Sequence, residues 1–193
     1  MLRQELARAR EARYEALMRV VMEPLHRYLL RRADAGAVDD ILAETMLVLW
    51  RRLEDVPGLG ADPKIDPDDV LPWCYGVARG CLTNAHRAER RRLRLVERLT
   101  RTAPPPMPVP GPGEADHAEL HATLGTLGAL DREVVLLWAW EGLPPRAIAE
   151  ATGLTPNAVS IRLHRTKKKL ASLLDRKNGA HAGHGTGEGR SNR

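Results

Sequence analysis

The chain has 193 residues, a length that suits one or two domains, and its 30 Lys and Arg residues against 25 Asp and Glu residues give a net charge of +5. This excess is too small to indicate a nucleic-acid partner by itself. No apolar run approaches the roughly 18 residues of a membrane span. The N-terminal sequence MLRQELARAREAR is charged and lacks the apolar core of a secretory signal. We therefore expect a cytoplasmic protein.

The charge is distributed unevenly along the chain. Residues 34–69 contain ten acidic and three basic residues, whereas residues 79–101 contain eight arginines and two glutamates. Residues 154–174 contain five basic residues and no acidic one. This alternation predicts two surfaces that face a polyanion and one surface that faces a basic partner.

The N-terminal half predicts three helices. The first spans about residues 5–32, and Pro24 should break or bend it. The second spans residues 38–53, where apolar residues recur near the 3.6-residue period and two aspartates fall in the first turn. Residues 57–72 are rich in Asp, Pro and Gly and predict a loop, and a third helix follows over about residues 72–98.

The two cysteines, Cys74 and Cys81, fall on the third helix. They would lie about 10 Å apart along its axis, too far for a disulfide bridge. Further ligands at a convincing spacing are missing, so we expect no metal site and no cofactor. We interpret both as small buried apolar side chains.

Proline and glycine mark the division into domains. Residues 102–113, TAPPPMPVPGPG, carry six prolines and two glycines, which favour an extended chain over packed structure. We predict a helical domain over residues 1–100, a linker over 101–117, a second helical domain over 118–176, and a disordered tail over 177–193. No segment has the period-two alternation of a strand, so the predicted fold class is all-α.

The second domain contains a helix-turn-helix pattern. Helices are predicted over residues 119–130 and 131–141, the latter with Asp131 as its N-cap. In the following LPPRAIAEATGLTPNAVSIRLHRTKKKL, Ala149 is small enough for close helix approach, Gly153 tolerates a left-handed turn, and Val159 would plug the core.

The opposite side of the second helix of this motif has the residue types that contact base edges and phosphates in a major groove. The lysines that follow offer phosphate contacts that do not depend on sequence. An ordinary helical hairpin with a solvated basic end is the alternative. The candidate DNA-binding residues are Thr155, Asn157, Ser160, Ile161, His164, Arg165 and Lys168.

Two segments of the first domain narrow the choice among helix-turn-helix proteins. Residues 38–53, VDDILAETMLVLWRRL, and 71–92, LPWCYGVARGCLTNAHRAERRR, resemble regions 2.2 to 2.4 of bacterial sigma-70 family RNA polymerase sigma factors. Residues 119–174 resemble region 4 of the same family. The short linker leaves no room for region 3, an architecture similar to the extracytoplasmic-function (ECF, group 4) type. The resemblance covers about residues 14–98 and 115–175.

The resemblance implies several contacts. The acidic helix would bind the clamp helices of the largest catalytic subunit of core RNA polymerase through Asp40, Glu44 and Leu47, unless these acids merely start the helix and are solvated. The second domain would bind the −35 element and the flap of the second-largest subunit. The linker would pass between the two sites. Members of this family are often held inactive by an anti-sigma factor, which makes such a protein a candidate partner.

The third helix resembles the element that reads and opens the −10 element. Trp73 would stack on the upstream edge of the opened DNA, although a core role is the alternative. The residues that follow would contact bases and phosphates, with a solvated basic end as the alternative. The candidate residues after Trp73 are Asn84, His86, Arg87, Arg90 and Arg91.

The predicted function is therefore promoter recognition and opening as a subunit of RNA polymerase, with no catalytic activity of its own. A stand-alone helix-turn-helix regulator with a sensing or dimerisation domain is the alternative. Three features depart from the family pattern: Gly80 stands where Asn is frequent, beside the pocket for a flipped −10 base, Ala43 stands where Gln is frequent, and the chain has no Phe. Gly80 predicts altered −10 readout.

Overall fold

The computed structural model describes residues 1–60, 65–99 and 124–182. This part of the chain is helical and contains no strand, which confirms the predicted all-α fold class. Short 3₁₀ turns occur at Ala35–Ala37 and Leu53–Asp55. In chain order, the α-helices of the described residues are α1 (Leu2–Leu30), α2 (Val38–Arg51), α3 (Pro67–Leu99), α4 (Ala129–Ala139), α5 (Pro145–Thr152) and α6 (Pro156–Ala182).

The backbone contacts divide the chain into two compact units. One contains Met1–Met107 with Arg146–Thr155, and the other contains Pro108–Pro145 with Pro156–Arg193. The predicted linker lies outside the described residues. None of the described helices is both long enough and apolar enough to cross a membrane.

In the first unit, α1, α2 and α3 pack against one another. Helix α2 buries Val38, Ile41, Thr45 and Leu49, whose spacing of three and four residues places them on one face. The hydroxyl of Thr45 donates a hydrogen bond to the carbonyl oxygen of Ile41 at 2.7 Å, which satisfies this buried polar group. The periodicity that predicted the second helix is thus confirmed.

Pro24 does not break α1, which runs from Leu2 to Leu30 with the proline inside it. Of the two predicted outcomes, a break or a bend, the break does not occur, and the reason is energetic. A proline inside a helix costs about 3 kcal/mol. Residues on both sides of Pro24, including Leu17, Val21, Leu25 and Tyr28, are fully buried. Each such side chain contributes about 1.5–3 kcal/mol, so the packing of this face outweighs the cost of one proline.

Helix α3 begins at Pro67 and has Pro72 inside it, so the predicted loop over 57–72 is wrong at its end. The same residue types that indicated a loop are helix start signals. Proline is favoured at the first helical position, and Asp68 and Asp69 in the first turn suit the helix dipole. The side chain of Asp66 accepts a hydrogen bond from the backbone N–H of Asp68 at 3.0 Å.

In the second unit, α4 packs against α6 and buries the apolar run 134–137. The N-cap of α4 is Gly128, so the assignment of this role to Asp131 is wrong. Asp131 lies in the first turn of the helix, where its carboxylate pairs with Arg162 at 2.6 Å. The predicted helix over 119–130 is interrupted by a turn at residues 126–128.

The C-terminal helix α6 runs to Ala182, past the predicted start of the tail at residue 177. Once a helix is nucleated, each further residue adds a backbone hydrogen bond at little cost, which favours the continuation of α6 past residue 176. The last residues, 183–193, lie outside the described part of the chain.

Candidate functional site

The first candidate surface is the exposed face of α2. Asp40, Glu44 and Leu47 are exposed and lie four and three residues apart, on the side of the helix opposite its buried residues. Leu47 remains 45% exposed although it is apolar. Neither carboxylate forms an ion pair with another described side chain. The structure therefore brings the three predicted residues together as an acidic surface with one apolar side chain.

A depression runs beside this acidic surface, between α2 and α3, with a volume of about 540 Å³. Asp34, Asp40 and Glu44 line one side of it, and His86 and Arg92 line the other. His86 therefore lies near the acidic surface of α2. The sequence had grouped it with the residues proposed to contact DNA.

The six residues of α3 that were predicted to contact −10 DNA fall on two sides of the helix. Trp73, Asn84, Arg87 and Arg91 lie within about 60° of one another around a helix that turns 100° per residue, and Gly80 lies among them. We call this set the α3 stripe. His86 and Arg90 lie on another side, where the Nε–H of Arg90 donates to the carbonyl of His86 at 3.2 Å. The structure thus brings together four of the six residues predicted to contact −10 DNA.

Trp73 is neither a core residue nor a free one. It is half-buried, and the guanidinium carbon of Arg52 lies 4.9 Å from the centroid of its indole ring. Trp73, Gly80 and Asn84 line one depression together with Arg52. An added Cβ at Gly80 would meet nothing within 4 Å, so packing does not require a glycine at this position.

Sequence reasoning missed the contacts that hold α1 against the end of α2. The side chain of Arg10 donates to the carbonyl of Trp50 at 2.8 Å and lies 4.6 Å from the centre of its ring. Tyr14 meets Trp50 edge-on and donates to the carbonyl of Met46 at 3.0 Å. Arg13 donates to both carboxylate oxygens of Glu54, at 2.9 and 3.1 Å. The spacing of these α1 residues was the available signal, because positions 10, 13 and 14 share one helical face.

Burial shifts the pKa of two further side chains near these surfaces. It raises the pKa of Tyr14 above its ordinary value, and it raises the pKa of Cys74 to about 12. Cys74 and Cys81 are both buried and free, which confirms their interpretation as apolar core residues. Cys74 stays a thiol near neutral pH, so it is not suited to nucleophilic chemistry. Within the described residues no three His, Cys, Asp or Glu side chains form a group that could hold a metal ion.

The backbone of the helix-turn-helix segment agrees with the sequence pattern. After α5, Gly153 adopts φ +73°, and the N–H of Leu154 donates to the carbonyl of Ala149 at 3.1 Å. This left-handed turn is the conformation that glycine adopts without strain. Ala149 and Val159 are buried, at 5% and 0% exposed. The predicted roles of Gly153, Ala149 and Val159 are consistent with these values.

The exposed side of α6 is the third candidate surface. The helix buries Val159, Leu163 and Thr166 on the other side. The residues predicted from the sequence span about 140° of the exposed side, with Thr155 immediately before the helix. All seven are exposed: Thr155, Asn157, Ser160, Ile161, His164, Arg165 and Lys168.

Some basic side chains near this surface contact another side chain or a carbonyl oxygen of the described residues, and others do not. Lys167 Nζ lies 3.3 Å from the centre of the Trp138 ring, and Lys169 donates to the carbonyl of Thr126 at 3.3 Å. Arg162 is held by Asp131. Among the described residues, Arg165 and Lys168 have no hydrogen-bond or ion-pair partner. These two side chains are therefore the cations best placed to meet a phosphate or a base.

The sequence of this chain is similar to those of known RNA polymerase sigma factors. Residues 117–170 match the protein family described as Sigma-70, region 4. The chain is 30% identical over 150 residues to the RNA polymerase sigma factor CnrH of Cupriavidus metallidurans, which covers 72% of this chain and 73% of that protein. It is 26% identical over 145 residues to the RNA polymerase sigma factor NccH of Alcaligenes xylosoxydans xylosoxydans, with 71% and 73% covered.

Two solved structures are similar in fold. The first is CnrH in complex with the cytosolic domain of CnrY, with a TM-score of 0.56 at 23% identity, covering 87% of this chain and 95% of that one. The second is the sigma factor RpoE in complex with the anti-sigma factor NepR from Bartonella quintana. Its TM-score is 0.50 at 18% identity, and the match covers 90% of this chain and 96% of that one.

Proposed function

Since this chain belongs to the sigma-70 family of bacterial RNA polymerase sigma factors, of the extracytoplasmic-function type, we propose that it binds core RNA polymerase, directs it to promoters and helps to open them. Its role lies in transcription initiation, and the chemistry of RNA synthesis belongs to the polymerase. The observation that carries the proposal is the α3 stripe, which combines an aromatic ring, an amide and two arginines on one exposed helical face.

The α3 stripe fits the −10 element. Trp73 would stack on a base at the upstream edge of the opened strands, and stacking of this kind contributes about 1–3 kcal/mol per base. Asn84 can read a base edge, since an amide both donates and accepts. Arg87 and Arg91 would contact phosphates. His86 and Arg90 lie on a different side of the helix from the α3 stripe, so we assign them no base contact.

The exposed side of α6 fits duplex DNA at the −35 element. Asn157, Ser160 and His164 carry donors and acceptors for base edges in a major groove, and Ile161 offers apolar contact to a thymine methyl group. Arg165 would contact a guanine or a phosphate. Lys168 would contact a phosphate, because it is free and lies one turn further along the helix.

The acidic surface of α2 fits a basic helical partner. Carboxylates at positions 40 and 44 steer an approaching cationic surface, and the exposed Leu47 supplies a side chain that can be buried on binding. We assign this surface to the clamp helices of the largest catalytic subunit. The second unit would contact the flap of the second-largest subunit.

An anti-sigma factor is a further proposed partner. RpoE of Bartonella quintana was solved in complex with the anti-sigma factor NepR, and that chain shares its fold with this one. A protein that covers the acidic surface of α2 would compete with core polymerase for the same side chains. Added core enzyme would then displace it.

The experiment that tests the proposal is run-off transcription by purified core RNA polymerase, with and without this protein, on fragmented bacterial DNA. We expect start sites that depend on the protein, and their alignment gives the promoter. A variant with Asp40→Lys and Glu44→Lys should lose transcription and co-elution with core enzyme. The absence of both start sites and co-elution would contradict the proposal and favour a stand-alone regulator, which would protect a palindromic site without polymerase.

A further inference from the structure

Arg52 lies over the ring of the tryptophan at the head of the α3 stripe. Its guanidinium carbon is 4.9 Å from the centroid of the Trp73 indole, and its Nε–H donates to Oδ2 of Asp55 at 2.8 Å. Arg52 is the residue directly after α2, and Asp55 ends the 3₁₀ turn Leu53–Asp55. The Asp55 carboxylate therefore anchors the guanidinium of Arg52 through its Nε–H.

The turn that carries Arg52 is itself held in place. Leu53 is fully buried, and Glu54 accepts two hydrogen bonds from Arg13 of α1. The neighbouring Arg51 provides a contrast, because it is exposed in the last turn of α2 and makes no hydrogen bond or ion pair with any described residue. The two arginines are adjacent in sequence, yet Arg52 alone packs on the indole.

We propose that Arg52 is a positioning residue for Trp73: its guanidinium holds one face of the indole and presents the other face to an unpaired base of the opened −10 strand. This inference rests on the proposed function, since it deepens the role of Trp73. A cation over a ring face is attracted by the negative charge of that face. A ring that is oriented before binding loses less side-chain freedom when a base stacks on it.

The arrangement predicts that Arg52 acts through Trp73 and not on duplex DNA. Its contribution should be present only when a base is unpaired, and it should vanish when the indole is removed. An arginine that bound a phosphate directly would behave differently, because its contribution would survive the loss of the ring. A double-mutant cycle on these two residues separates the two behaviours.

The test uses RNA polymerase holoenzyme reconstituted with the full chain and DNA from a promoter mapped by run-off transcription. Two probes are compared: a blunt duplex, and a fork-junction probe whose non-template −10 strand is single-stranded. Arg52→Ala should weaken fork-junction binding by about two- to five-fold, the size expected of a cation–π contact at an exposed site, and leave duplex binding unchanged. In a Trp73→Ala background it should cause no further loss.

Three further variants sharpen the measurement. Arg51→Ala removes the same charge one residue away and should leave binding to both probes unchanged. Asp55→Ala releases the Nε anchor but keeps the guanidinium, so its loss on the fork-junction probe should be smaller and should also depend on Trp73. Arg52→Lys should be intermediate, because an ammonium group cannot lie flat on the ring. Circular dichroism melting checks that each variant folds.

The outcomes are distinct. Equal losses with and without Trp73 would overturn the proposal and make Arg52 an independent DNA contact. If Arg52→Ala binds the fork-junction probe more tightly, the proposal is also overturned, since Arg52 would then block the face of the Trp73 ring on which a base stacks. If Trp73→Ala leaves fork-junction binding unchanged, the inference fails together with the role of Trp73, while transcription from the mapped promoter still supports the sigma factor function.

Discussion

The two helices proposed to contact DNA, α3 and α6, expose different chemistry. The α3 stripe is headed by a half-buried indole under an arginine and continues into an amide and arginines. The seven candidate residues on the exposed side of α6 include no Trp, Tyr or Phe. They comprise three short polar side chains, one isoleucine, one histidine and two cations that have no partner among the described residues. An aromatic ring gains its stacking partner only when base pairs separate, whereas polar side chains in a major groove require an intact duplex. Under the proposed function, strand opening would belong to the first unit and duplex recognition to the second.

Replacement of Trp73 by Ala should have the largest effect among the variants that test whether α3 opens the strands and α6 reads the duplex. Loss of a stacking contact of about 1–3 kcal/mol corresponds to roughly a 5- to 150-fold loss of open complex. Binding to duplex promoter DNA should change little. Permanganate reactivity of thymines in the −10 region measures the opened strand, and unchanged reactivity would contradict the role of the ring.

Arg165→Ala tests the other side of the comparison. It should weaken duplex −35 binding by about ten-fold, within the range of 1–3 kcal/mol for a specific base contact, without a separate effect on strand opening. Arg162→Ala is the matched control, because this side chain lies on the same helix but pairs with Asp131. A gel-shift assay in which both variants bind alike would rule out the distinction between the free and the paired arginine.

Lys168 and Lys167 form a second matched pair with a smaller expected effect. Lys168→Ala should reduce the slope of log affinity against log salt by about one, the change expected for one phosphate contact. Lys167→Ala removes the cation from the Trp138 ring and should lower the thermal stability of the second unit while leaving that slope nearly unchanged. Salt titrations and melting curves would have to give the reverse pattern for this assignment to fail.

Gly80→Asn is expected to have the smallest effect. The position is exposed, and an added Cβ meets nothing within 4 Å, so the change should not destabilise α3. Replacing a helical glycine should instead raise the free energy of unfolding by a few tenths of a kcal/mol, since Gly is about 1 kcal/mol less favourable than Ala in helices and Asn lies between them. Transcription from −10 variants should become more selective at one position. A fall in melting temperature would show that the glycine is required.

Local patterns predicted most of the elements, and the errors share one cause. The periodicity of α2 and the turn at Gly153 were read correctly because burial on one face and a left-handed φ depend on nearby residues. The expected break at Pro24, the loop at Pro67 and the cap at Asp131 did not occur, because each residue type has more than one possible role. A proline ends a helix, starts it or is tolerated inside it, and an aspartate caps a helix or pairs with a distant arginine. Packing selects between such roles, and packing involves residues far apart in sequence.

For the candidate sites too, features that depend on nearby residues were predicted and features that depend on distant residues were not. The sequence identified the exposed residues of α6 correctly as one group, because a regular helix determines which positions share a face. It grouped six residues of α3, and the structure separates His86 and Arg90 from the rest, since they lie on another side of the helix. The sequence could not show that Arg52 lies on Trp73, because 20 residues and a turn separate them.

The sequence by itself determined the helical class, the family, and which short segments carry the acidic, aromatic and basic side chains, because these depend on composition, period and local backbone preference. Tertiary structure alone decided which cations are free and which are engaged. Lys167, Lys169 and Arg162 are held by partners on other segments, whereas Arg165 and Lys168 have no partner within the part of the chain that the structure describes. The physical reason is that a charge interacts with the groups that the fold brings within a few ångströms. Those groups often come from distant parts of the sequence, so the residues next to a charge along the chain do not identify them.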